Sequence, residues 1–99
     1  MARLKPIHPG EILREEFMVP FGLNPNRLAI ALRVAAPNVY EIVREGRRVS
    51  PEMALRLARY FGTTPEFWMN LQGHYDLEIS RQKAERKINQ DVAPLEMTA

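Results

Sequence analysis

Ninety-nine residues, 45% of them hydrophobic and 26% charged, suit one globular domain rather than two. The chain has no cysteine, which excludes a disulfide framework and a thiolate zinc site, and no apolar run approaches a membrane span or a signal-peptide core, so a cytoplasmic placement is expected. The net charge of +2 is unevenly spread: between residues 21 and 62, Arg27, Arg33, Arg44, Arg47, Arg48, Arg56 and Arg59 face only Glu41, Glu45 and Glu52, whereas the two flanking stretches are neutral or acidic. A basic surplus confined to one stretch points to a phosphate-bearing partner; for any single arginine the alternative is a solvated helix face.

The first helical pattern opens at Pro9, a residue suited to the first helical position, behind His8. Glu11, Glu15 and Glu16 place negative charge near its start, Ile12, Leu13 and Phe17 form its buried stripe, and Pro20 with Gly22 ends it. Asn24 and Pro25 then read as N-cap and first residue of a second helix with Leu28, Ala29 and Leu32 on one face. Arg33-Val34-Ala35 interrupts the pattern, and it resumes behind Pro37 with Val39, Ile42 and Val43 inward. Successive helix positions turn by about 100 degrees, which leaves Ala36, Pro37, Asn38, Tyr40, Glu41 and Arg44 facing outward.

Ser50-Pro51-Glu52 repeats the start signal, followed by Met53, Ala54, Leu57, Ala58 and Phe61 at core spacing and Gly62 as the stop. Thr64-Pro65-Glu66 repeats it once more, leading into Phe67, Trp68, Leu71 and Tyr75. No segment before residue 85 has a strand period, so the expected body is all-α with five helices over residues 1–80. Residues 81–99 form a separate C-terminal tail. Its charged run, with Leu77, Ala84 and Ile88 at helical spacing and a stop at Pro94, allows a helix extension, a short strand or a segment ordered by a partner.

Helices two and three, joined by three residues, have the pattern of a helix-turn-helix, whose second helix lies in the DNA major groove. The same pattern also occurs in bundles that never meet DNA, so it does not carry the inference alone.

Four segments together resemble the HigA/VapI-type antitoxins, a branch of the lambda-repressor-like helix-turn-helix group: His8-Pro9-Gly10-Glu11-Ile12-Leu13, the motif of residues 24–46, Ser50 to Ala58, and Thr64-Pro65-Glu66-Phe67-Trp68-Met69-Asn70-Leu71-Gln72. The likeness spans roughly residues 6 to 80, and its first and last segments are far more specific than the helix-turn-helix. It implies a five-helix DNA-binding domain, a homodimer, repression of the protein's own operon, and neutralisation of a small partner toxin, usually a RelE-like ribosome-dependent mRNA endonuclease. Two positions depart from the family pattern. Arg33 stands where glycine is common, so an L-residue must avoid or tolerate a left-handed backbone at about 1–2 kcal/mol, and Ala35, where serine or proline is often found, offers no capping oxygen, a loss of about 1 kcal/mol.

With the second helix in the groove, reach assigns roles on a double-stranded, palindromic operator. Base contacts are expected from Ala36, against a thymine methyl, and from Pro37, Asn38, Tyr40 and Glu41; Asn38 has the amide that pairs with adenine. Glu41 is more simply a brace for Arg44 three residues on. Phosphate contacts are expected from Asn24, Arg27, Arg33, Arg44, Arg47 and Arg48. One reading helix covers few base pairs, so a dimer with reading helices about 34 Å apart is expected. Phe67, Leu71, Tyr75 and Ile79 are the candidate seam, while Trp68 is assigned to the monomer core.

An enzyme is not expected. His8 and His74 lie far apart with no nucleophile or metal-ligand spacing beside them, each reading as a cap or surface residue; the five glycines are isolated, and no cofactor or metal is expected. Two other classes stay open: a toxin-independent regulator of the same fold, and an adaptor that binds protein only. For a small basic toxin, the acids of helix one offer a complementary face, although the helix dipole explains them equally well.

Overall fold

The computed structural model describes residues 5–96, and among these the chain is helical with no strand. Helix α1 (Pro9–Ile12) runs on into a π-helical stretch (Leu13–Met18) and a 3-10 turn (Val19–Phe21). Helices α2 (Pro25–Leu32) and α3 (Ala36–Val43) follow, then α4 (Pro51–Phe61) and α5 (Pro65–Ser80). A second π-helical stretch (Arg81–Glu85) carries α5 into α6 (Arg86–Asp91).

The helix starts are local chemistry. Asn24 Oδ1 accepts from the Arg27 N–H at 2.8 Å, Ser50 Oγ from Met53 at 3.1 Å and Thr64 Oγ1 from Phe67 at 3.1 Å. Each satisfies one otherwise orphaned donor, worth about 1 kcal/mol. His8 does the same with its ring: Nδ1 accepts from Gly10 N–H at 2.8 Å, ahead of Pro9 at the helix start. Of α2 to α5, helix α3 is the one without a side-chain cap, because Ala35 occupies that position.

Helices α2 and α4 end at left-handed residues. Gly62 closes α4 at φ 75°, as glycine does without steric cost, but α2 ends on Arg33 at φ 61°, ψ 43°. The arginine therefore adopts the left-handed backbone that its position demanded.

Leu13, Leu28, Val39, Ile42, Val49, Leu57 and Trp68 form a fully buried core, with α2 packed on α3 and α4 on α5. Phe17 lies 5.0 Å, ring to ring, from both Phe61 and Trp68, and the Trp68 indole N–H donates to Thr63 Oγ1 at 2.8 Å. Trp68 thus fills the monomer core as expected.

Gly10 explains why the first helix begins His-Pro-Gly. A Cβ on Gly10 would fall 1.9 Å from the Ile42 carbonyl oxygen, far inside contact distance, so only glycine lets α1 touch the backbone of α3 this closely. Arg14 strengthens the same junction by donating from Nη1 to the Val43 carbonyl at 2.6 Å. Helix α1 is therefore the buttress that fixes α3 from behind.

Of the three conformations open to the tail, the structure shows a helix extension through Asp91, with residues 92–96 irregular; residues 97–99 lie outside the described range. The rod from residue 65 to 91 is about 40 Å long at the standard helical rise, in a molecule whose longest extent is 56 Å. Ion pairs one turn apart, Arg81 with Glu85 at 3.0 Å and Lys87 with Asp91 at 2.8 Å, support its far end, while Leu77 and Ile88 stay exposed. No helix among the described residues is long and apolar enough to cross a membrane.

Candidate nucleic-acid interface

Val39, Ile42 and Val43 bury one side of α3 against α2 and the core, which turns the opposite side outward. Pro37, Tyr40, Arg44, Arg47 and Arg48 are exposed there, and Ala36, Asn38 and Glu41 are half-buried. Ala36 also packs against the core.

The loop after α3 folds back on the helix. Its left-handed residue is Glu45 at φ 65° rather than the neighbouring Gly46, and the N–H groups of Gly46 and Arg47 both donate to the Glu41 carbonyl, at 2.9 and 3.1 Å. Three arginines are then held in three ways. Arg44 pairs with Glu41 at 3.5 Å, the brace anticipated from their spacing. Arg47 donates from Nη1 to Asn38 Oδ1, nine residues back and in the first turn of α3. Arg48 pairs with Asp76 of α5 at 2.5 Å while remaining largely exposed.

Behind Arg48 lies a network that sequence reasoning missed. Gln72 is fully buried, and its Oε1 accepts from the Val49 N–H at 2.7 Å while its Nε2 donates to Asp76 Oδ1 at 2.9 Å. One carboxylate thereby orients both the amide that pins the loop and the guanidinium that points from it. The only advance signal was a glutamine at an inward position of the α5 stripe, and a buried amide must find partners.

His8 sits close to this network. Its ring is buried edge-on against Tyr75 at 4.8 Å, and burial holds its pKa below the ordinary imidazole value, partly offset by the nearby Glu45 and Asp76 carboxylates. Neutral imidazole is also what the cap requires, since Nδ1 must be free to accept.

The remaining sequence-derived positions are dispersed. Asn24 spends its Oδ1 on the cap of α2, and Arg27 is exposed one turn further on. Arg33 lies at the opposite end of α2, beside Arg56 and Arg59 on a separate cleft of about 580 Å³; there Arg56 donates to the Leu32 carbonyl at 2.9 Å. On α5, Phe67 is exposed, Leu71, Tyr75 and Ile79 are half-buried, and Leu71 packs on the core. Among the described residues no group of three histidine, aspartate or glutamate side chains is placed to hold a metal.

Two short helices at a three-residue turn, the second exposing a cationic ridge, place the molecule among the lambda-repressor-like helix-turn-helix proteins. No protein-family model matches the chain. Virulence-associated protein I of Dichelobacter nodosus is 51% identical over 76 residues, 77% of this chain and 70% of that protein. Antitoxin HigA-1 of Vibrio cholerae is 37% identical over 79 residues, 80% of this chain and 74% of that one. The structure of Pseudomonas aeruginosa antitoxin HigA with the higBA promoter is similar at a TM-score of 0.90 and 50% identity, covering 92% of this chain and 99% of that one. The chain belongs to the HigA/VapI-type family of helix-turn-helix antitoxins.

Proposed function

We propose that this chain is a sequence-specific DNA-binding antitoxin that represses its own toxin–antitoxin operon and neutralises a small basic, RelE-like mRNA endonuclease. The observation that carries the DNA half is the exposed ridge of α3 and its following loop, where Arg44, Arg47 and Arg48 project beside Asn38 and Tyr40 from a rigidly buttressed helix. A similar chain, half identical in sequence, has been solved with promoter DNA, which supports the same use of the ridge here. Arg27, Arg44 and Arg48 serve as phosphate contacts that supply affinity and salt sensitivity, and the first turn of α3 supplies choice among bases.

The active species in this reading is a homodimer, because one short helix reads too few base pairs for an operator. Residues 1–80 form the DNA-binding domain and residues 81–99 an extension. Phe67, Leu71, Tyr75 and Ile79 supply the apolar surface for a two-fold seam, with Phe67 exposed and the half-buried Leu71 at its inner edge. A cytoplasmic protein without enzymatic activity fits this role.

The toxin half is tested by expressing the neighbouring reading frame for a basic protein of about one hundred residues with and without this chain. Growth arrest by the neighbour alone, lifted by co-expression, is the expected result. A harmless neighbour, or arrest that this chain does not relieve, would leave a DNA-binding regulator without a toxin.

A further inference from the structure

We infer that Arg47 reads a base, a guanine in the major groove, and that Asn38 is the brace that aims it. This rests on the DNA-binding reading above and reverses the roles that reach along the sequence assigned, Asn38 to a base and Arg47 to a phosphate.

Position comes first. Arg47 lies beyond the C-terminal end of α3, where arginines ordinarily meet the DNA backbone, but the left-handed turn at Glu45 and the two N–H donors to the Glu41 carbonyl fold the loop back along the helix. The guanidinium ends at Asn38, in the first turn of α3, the part of a reading helix that contacts base edges. A side chain from the loop is thus delivered to the reading end.

Charge comes second. Arg44 and Arg48 face carboxylates, Glu41 and Asp76, which compensate part of their charge. Arg47 is held by a neutral amide, so its orientation is fixed while its full charge remains directed outward. One of its five N–H groups is engaged; the others leave an edge of the planar fork free for the paired acceptors O6 and N7 of guanine, the commonest specific contact of arginine. Adenine recognition by Asn38 would need its carbonyl and amino ends turned together onto one base, and Arg47 already holds the carbonyl end.

The test uses the full chain and its own promoter duplex, with each base pair of the bound site replaced in turn, for the wild type, Arg47→Ala, Arg47→Lys, Asn38→Ala and the double variant Asn38→Ala with Arg47→Ala. The wild type is expected to lose roughly 5- to 150-fold in affinity when one particular G·C pair of a half-site is changed, the other half-site being left intact. Arg47→Ala should bind all four base pairs at that position alike, Arg47→Lys should not restore the preference, and Asn38→Ala should weaken the preference at the same position, adding nothing in the double variant. If Arg47→Ala instead weakens every duplex by one common factor and makes the salt slope shallower by about two, one contact from each protomer, Arg47 is a phosphate clamp and the inference is overturned. It is equally overturned if the two single variants flatten different positions. A wild type that binds the promoter no better than a scrambled duplex defeats the DNA-binding reading itself, a result distinct from both.

Discussion

Replacing Gln72 with leucine removes the buried link between α5 and the loop that carries the arginines, and the structure sets the size of the effect. Leucine has nearly the volume of glutamine, so packing around the site is largely kept and the polar loss dominates. The Val49 N–H, on a residue with no exposure, loses its acceptor at 2.7 Å and is shielded from bulk solvent. A stranded buried donor costs about 1–3 kcal/mol. Asp76 also loses a donor, but it keeps Arg48 and has solvent access, which adds little. The expected loss is therefore about 2 kcal/mol, a large part of the stability of a domain of this size, and a fall in Tm of roughly 8–16 °C. Urea denaturation should show a lower midpoint at an unchanged slope, and amide exchange at Val49 should accelerate more than exchange in α2. A loss below about 0.5 kcal/mol would refute the reasoning, because it would mean that the Val49 N–H is satisfied without Gln72.

Gly10→Ala should be among the most damaging small substitutions, about 3 kcal/mol, since its methyl meets the backbone oxygen of Ile42 and neither helix can yield without moving α3; thermal unfolding measures this. Arg33→Gly should stabilise the fold by roughly 0.5–1 kcal/mol in urea, the left-handed strain relieved less the entropy of a glycine in the unfolded chain. His8 has a folded-state pKa below its unfolded value of about 6.5, so the unfolded chain binds the extra proton first. The stability it contributes is complete above pH 6.5 and falls as pH drops from there through the lower folded value. His8→Asn, which keeps a capping acceptor but does not titrate in this range, should flatten the unfolding midpoint between about pH 7 and 5.

The parts of this structure that were legible in the sequence are those set by neighbours a few residues away. Asn24, Ser50 and Thr64 cap the helices they precede, Arg33 occupies the left-handed stop, and Glu41 meets Arg44, because each depends on a spacing of three or four residues or on one backbone angle. The missing pieces join residues far apart in sequence. Gln72 reaches Val49 across 23 positions, Arg48 reaches Asp76 across 28 and Arg14 reaches Val43 across 29. Periodicity shows which face is buried but not what it meets. Asn38 and Arg47 are each recognisable as DNA-facing from the sequence, yet their pairing depends on Glu45, not Gly46, taking the left-handed angle, where glycine is the residue expected. The weak apolar spacing of Leu77, Ala84 and Ile88 is compatible with a helix extension, a short strand or a partner-ordered segment alike, and ion pairs one turn apart support the helix that forms.

The most direct test of the account is the affinity of the wild-type chain for its own promoter duplex and for a scrambled duplex of equal length as salt rises from about 50 to 200 mM. A dimer with three phosphate-contacting arginines per half-site predicts a promoter preference of roughly a thousandfold or more and a log–log salt slope near −5. Equal binding to the two duplexes, or an affinity that salt leaves unchanged, would contradict the claim that the ridge of α3 and its loop reads DNA.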